Sequence, residues 1–125
     1  MENILVVDDN EDMCQVISDV LRAEGYVVRI ACDGESALNE LKKKTYDLMV
    51  LDYKLFDMNG LEVLEKLIGI TSSLYTIMIS AYGSESVKAR AHELGAYSFF
   101  DKPFDVNVLM KTVKKALSEK KSLIQ

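Results

Sequence analysis

Ile4-Leu5-Val6-Val7-Asp8-Asp9 is an unbroken apolar run that leads straight into two carboxylates. A run this short and this apolar reads as a strand buried on both faces, as in a parallel sheet. Two later stretches share its form. Met49-Val50-Leu51 ends in Asp52, and Tyr97 to Phe100 ends in Asp101-Lys102-Pro103. If the first two strands are neighbours, Asp8, Asp9 and Asp52 crowd one edge of the sheet, and like charges there oppose each other's ionisation. A divalent cation relieves that crowding. The edge therefore points to a metal site and to chemistry on a carboxylate.

Outward from these runs, the pattern alternates strand and helix. Asn10 is placed to cap a first helix, with Glu11 and Asp12 suiting its positive end. Met13, Val16, Ile17, Val20 and Leu21 recur at helical spacing, and Gly25 fits as a stop. Tyr26 to Ala31 reads as a second strand, Asp33-Gly34 as a turn, and Ser36 to Lys44 as a short helix with Ala37, Leu38 and Leu41 inward. Leu48 to Leu51 is the third strand, and the stretch from Asp52 to Gly60 reads as a loop. Leu61, Leu64, Leu67 and Ile68 mark a third helix, and Tyr75 to Ile79 a fourth strand. Gly83-Ser84 opens a fourth helix with Val87, Ala91 and Leu94 inward, ending at Gly95. After the strand Tyr97 to Phe100, Asp105 caps a last helix with Val106, Leu109, Met110, Val113 and Leu117 on one face. Five strands alternating with five helices predict an α/β fold, a doubly wound parallel sheet with right-handed crossovers.

With 125 residues, about half of them apolar, the chain fits one domain with a real core. A formal net charge of -5 argues against direct nucleic-acid binding, which is driven by phosphate neutralisation, and against an acidic membrane surface. No apolar stretch approaches the ~20 residues of a membrane-spanning helix, and no signal peptide is visible, so a cytoplasmic location is expected. Cys14 and Cys32 match neither a zinc site nor a disulfide framework, and read as reduced thiols. The lone His92 lies in the fourth helix, with nothing to pair it with a nucleophile. The expected domain covers residues 1–120. Residues 118–125 are the end of the last helix or the start of a linker to an output domain.

In such a sheet, ligands bind beyond the carboxyl ends of the strands, where strand order reverses. Asp8, Asp9, Asp52, Ser80 and Lys102 each lie at such an end and can face one crevice. In order along the chain, Val7-Asp8-Asp9, Asp52, Gly60, Ser80-Ala81 and Lys102-Pro103-Phe104 resemble the receiver domains of bacterial response regulators, over essentially the whole length. The resemblance implies a flavodoxin-like (βα)5 fold with strand order 2-1-3-4-5. It implies a two-component phosphoacceptor. Asp52 would take a phosphoryl group from a sensor histidine kinase or phosphotransfer protein. Asp9 would hold Mg²⁺ (or Mn²⁺) directly and Asp8 through water, together with Asp52 and the backbone carbonyl of Lys54. Lys102 would pair with Asp52 and then with the phosphoryl group, and Ser80 would donate to a phosphoryl oxygen. Phe99 would turn inward after Ser80, changing the face of the fourth helix, fifth strand and fifth helix. That face would control an output domain, a target protein or a phosphorylation-dependent homodimer. The Lys102-Pro103 bond is a candidate for cis. On this reading the chain modifies itself and is no turnover enzyme on an external substrate.

The chain departs from the family pattern after Asp52. A Met-Pro pair common there is replaced by Leu55-Phe56, which predicts a less rigid loop and leaves Phe56 as a contact surface or a packed cover. Lys54 and Tyr82 occupy positions that, by resemblance, flank the water attacking the acyl phosphate, and are expected to slow its loss. Three rival readings are weaker. A haloacid-dehalogenase-type phosphatase needs a second Asp where Lys54 stands. A vestigial module would have lost part of the set. A flavodoxin-like cofactor site needs a phosphate-cradling loop where Asp8-Asp9-Asn10-Glu11 would repel one.

Overall fold

The computed structural model describes residues 1–70 and 73–124, and Gln125, the end of the tail considered above, lies outside them. Its elements are β1 (Asn3–Val7), α1 (Glu11–Ala23), β2 (Val27–Ala31), α2 (Gly34–Lys43), β3 (Leu48–Asp52), α3 (Gly60–Leu67), β4 (Tyr75–Ser80), α4 (Glu85–Glu93), β5 (Ser98–Asp101) and α5 (Val106–Ile124). All strand pairs are parallel, in the order β2-β1-β3-β4-β5. The expected fold is present. Residues 118–124 continue α5.

Alternation along the strands splits the core into two layers. Ile4 and Val6 of β1, Val50 of β3 and Ile77 and Ile79 of β4 face α1 and α5, where they meet Ile17, Leu21, Leu109 and Val113. Leu5, Val7, Met49, Leu51 and Met78 face the other way, onto Ala37, Val63, Leu64 and Ala91 of α2, α3 and α4. The central strands are buried on both sides, which is why their sequences carry no polar alternation.

Local chemistry sets the helix starts. Asn10, Asp33, Asn59 and Ser84 each accept a backbone N–H from the first turn of α1, α2, α3 and α4. Asp105 accepts the N–H of Asn107 at 2.8 Å at the head of α5. Gly25 and Gly95 follow α1 and α4 with φ of 94° and 96°, a conformation that favours glycine.

Two helical faces differ from expectation. Val16 of α1 is 49% exposed, and the buried row is instead Cys14, Ile17, Ser18 and Leu21. The helical period was right, but the buried face is rotated by about one residue step, roughly 100°, because a small thiol and a hydroxyl occupy core positions. Ile68 ends α3 as its C-cap and is exposed, while Val63 fills the core. In addition, α2 begins at Gly34 rather than Ser36, since Asp33 already caps it.

The far ends of the elements are also tied. Lys120 of α5, nearly buried, pairs with Asp47 at 3.4 Å, and Lys121 pairs with Glu2 at 3.2 Å. At the β2 edge, the Arg22 guanidinium donates to the Val28 carbonyl at 3.0 Å.

Candidate phosphoacceptor crevice

Neighbouring β1 and β3 run in register, so Val7 lies beside Leu51 and the residues after them emerge together. Asp8 and Asp52 are buried, at 2% and 5% exposure, whereas Asp9 is open to solvent. One carboxylate oxygen from each of Asp8, Asp9 and Asp52 lies within 4.8 Å of the others. Opposite them, β4 ends in Ser80 and β5 delivers Lys102. The Lys102 ammonium is 3.3 Å from Asp8 Oδ2 and 3.3 Å from Asp52 Oδ1. The Lys102–Pro103 peptide is cis.

The charges do not cancel. Three carboxylates face one ammonium. Burial, then the Asp8 charge, raise the Asp52 carboxyl to about 6 against the opposing pull of Lys102. Burial alone would lower Lys102, but Asp52 and Asp8 outweigh it and raise its pKa. Asp8 is held from two more sides, its Oδ1 accepting the Asn10 N–H at 2.9 Å and its carbonyl accepting the Cys14 thiol at 3.2 Å. Burial first of all pushes that thiol up to about 12, so it stays a protonated donor. An all-oxygen set with surplus negative charge suits a hard divalent cation such as Mg²⁺.

Ser80 is buried, and its Oγ accepts the Tyr82 N–H at 2.8 Å. Tyr82 itself is 61% exposed, and the Lys54 ammonium stands 5.2 Å from its ring centroid. Phe99 is half-buried on β5, one strand away from Ser80.

A family model described as the response regulator receiver domain matches residues 4–114. This chain belongs to the response regulator receiver family. The receiver is 36% identical over 116 residues to sporulation initiation phosphotransferase F of Bacillus subtilis (strain 168), covering 93% of this chain and 94% of that protein. It is 31% identical to the transcriptional regulatory protein ZraR of Escherichia coli (strain K12), covering 97% of this chain but only 27% of ZraR. Among solved structures, a CheY-like response regulator receiver domain protein from Methanospirillum hungatei JF-1 superposes with a TM-score of 0.94 at 30% identity, over 98% of each chain.

Sequence reasoning missed two features of the receiver. The first is the fastening of the loop after β3. Asp57 accepts the backbone N–H groups of Gly34 and Glu35 at 2.8 and 2.9 Å, adding a second carboxylate to the start of α2. The Gly34 N–H, then the Glu35 one, hold Asp57 below the usual carboxylate range. Met58 covers Gly34 so closely that a Cβ there would collide with its side chain. Leu55 is buried, its N–H bonded to the Met58 carbonyl, so Phe56 is left 88% exposed on a tied turn. Where the resemblance expects a proline, Phe56 stands in a turn held by these contacts. The second missed feature is an open groove of about 560 Å³ beside the crevice, where Met13 and Val16 face Pro103, Phe104 and Val106. Nothing in the sequence signals it, because Val16 reads there as part of the buried face.

Proposed function

We propose that the domain is a phosphorylation switch in which Asp52 accepts a phosphoryl group from a phosphohistidine on a partner protein. The observation that carries this reading is Lys102 bridging Asp8 and Asp52 while Asp8, Asp9 and Asp52 gather within 4.8 Å. An Asp52 oxygen attacks phosphorus, an O–P bond forms, and the P–N bond breaks with its electron pair returning to the donor imidazole. Asp52 is ionised at neutral pH, as attack requires, and its raised basicity favours attack. Asp8, Asp9, Asp52 and the Lys54 carbonyl would hold Mg²⁺ or Mn²⁺, which when bound neutralises charge on the carboxylates and phosphoryl oxygens. Lys102, already beside Asp52, supplies a fixed positive charge to the transferred group.

Ser80 turns the modification into movement. Its oxygen accepts from Tyr82, which leaves its hydroxyl proton free for a phosphoryl oxygen. Moving toward Asp52 takes the 81–84 loop with it, and Phe99 follows into the vacated space. The altered α4-β5-α5 face then controls an output domain, a target or a second copy, as charge-adding switches do. ZraR, much longer than this chain, is named a transcriptional regulator, which supports an output domain of that kind as one recipient. The domain signals rather than turning over an external substrate. The apolar groove of Met13, Val16 and Phe104 opens beside Lys102 and suits the donor protein better than a small anion. Among the described residues no helix is long and apolar enough to cross a membrane, and both thiols are free, which supports a cytoplasmic setting.

Incubation with Mg²⁺ and acetyl phosphate should add one phosphate by intact-mass measurement, and Asp52→Asn should abolish it. No adduct on the parent, or one that survives the substitution, overturns the reading. Lys54 and Tyr82 meet across the mouth of the crevice and shield the acyl phosphate from water. Replacing both with alanine should speed loss of the adduct; unchanged decay removes them from that role.

A further inference from the structure

Outside the crevice, Lys88 and Gly83 both lie against Phe99 and against Asp101. Lys88 of α4 pairs with Asp101, at the end of β5, at 2.9 Å. The same ammonium stands 5.7 Å from the centroid of the Phe99 ring. Gly83 closes the remaining gap, since a Cβ there would collide with Asp101 Oδ1 and come within 2.9 Å of Phe99 Cε1 and 3.2 Å of Lys88 Cε. The 81–84 loop is thus seated directly on the Lys88–Asp101 pair.

The other end of that loop is Ser80, tied to Tyr82. Displacing Ser80 toward Asp52 draws Tyr82 and Gly83 along the chain and unseats Gly83 from Asp101 and Phe99. Turning Phe99 inward removes the ring beside Lys88. Contacts made in only one of two states set the balance between them.

We propose that Lys88 and Asp101, packed on Phe99 and Gly83, form a latch that holds the resting state of the switch. Both are positioning residues, since neither touches the phosphoryl group, and the latch rests on the phosphoacceptor reading given above. The pair is partly exposed, with side-chain exposures of 33% and 58%, so it sets a modest bias and not an all-or-none lock. A second ion pair, Arg90–Glu93 at 3.2 Å, lies within α4 itself and provides an internal control.

The test titrates the full chain, in Mg²⁺, with beryllofluoride, a tetrahedral mimic of a phosphoryl group on a carboxylate, and reads binding by calorimetry. Lys88→Met keeps the aliphatic stem, and Asp101→Asn keeps the shape. Each should bind beryllofluoride about threefold more tightly than the parent, because the competent state is no longer held back. The double variant should match either single, since one interaction is removed, and Arg90→Met should match the parent. A variant that had merely lost structure would bind more weakly, so a gain in affinity cannot come from damage. Unchanged or weakened binding in both singles, or an equal gain in Arg90→Met, overturns the latch. Failure of the parent to bind, or equal binding by Asp52→Asn, refutes the phosphoacceptor reading itself, and the latch falls with it.

Discussion

The loop after β3 and the loop after β4 face each other across the acidic crevice. The first is fastened in depth. Gly60 N–H bonds to the Tyr53 carbonyl at 2.6 Å, Leu55 to Met58 at 3.1 Å, and Asp57 reaches across to two backbone groups of α2. The second is tied mainly within itself and to the strand end beside it. Ser80 Oγ accepts the Tyr82 N–H, the Tyr82 carbonyl accepts the Ser84 N–H at 2.9 Å, and the Ser80 carbonyl accepts the Lys102 N–H at 2.8 Å. It also contacts a partly exposed ion pair. A crevice with one wall tied across to a neighbouring helix and the other tied mainly to itself can hold its carboxylates in place while its surface moves. On the proposed function, the asymmetry suits β3 to positioning and β4 to signalling.

Asp52, enclosed by both walls, should give the largest response. Between the unfolded carboxylate's roughly 4 and about 6, the folded chain keeps a proton that the unfolded chain has lost. Stability therefore falls as pH rises through that window and stays lower above it. Asp52→Asn should stabilise the metal-free protein by about 2–3 kcal/mol at pH 7. The gain should vanish below pH ~4 and shrink with Mg²⁺. Urea unfolding at several pH values measures it, and a gain that does not fall with pH contradicts the burial account.

Next come the two glycines of the walls. A Cβ at Gly60 would press on backbone, with Asp52 O at 3.0 Å and Tyr53 Cα at 3.2 Å. Gly60→Ala should cost about 2 kcal/mol. Gly83→Ala meets chiefly side chains that can swing aside, and should cost under ~1 kcal/mol. Equal costs would erase the contrast between the walls. Asp57→Ala, which frees two helix-start N–H groups, should cost about 1 kcal/mol, seen as a lower melting temperature. That loss should fade at acidic pH, because a carboxyl held below its usual range stabilises only while ionised. Smallest in stability is Ser80→Ala, at about 0.5 kcal/mol. It should nevertheless uncouple Phe99 from beryllofluoride binding, read as unshifted Phe99 resonances in the bound state.

The architecture was legible because the central strands β1, β3 and β4 are mostly apolar runs closed by turn or cap chemistry, and Asn10, Ser84 and Asp105 announce their helices. The acidic edge was legible for the same reason, since Asp8 and Asp52 end such runs. Val16 and Ile68 misled because apolar residues at helical spacing do not say which of them the sheet covers, and Cys14 and Ser18 took the place expected of larger ones. Ser18 Oγ, buried without a hydrogen-bond partner among the described residues, is the kind of position that no periodicity flags. The Asp57 tie joins residues 22 and 23 apart in sequence, and the Lys88–Asp101 pair joins residues 13 apart. Such links depend on how loops fold over the strand ends, and no local pattern encodes them.

The Arg22 bond to the Val28 carbonyl bears on how copies of this molecule can meet. β2 is one rim of the sheet, and an open rim is a template on which a neighbouring chain can add a strand. Arg22 occupies one of the acceptors such a strand would need. The opposite rim, β5, is four residues long and ends in the ion-paired Asp101. With both rims blunted, open-ended stacking of sheets from copy to copy is disfavoured.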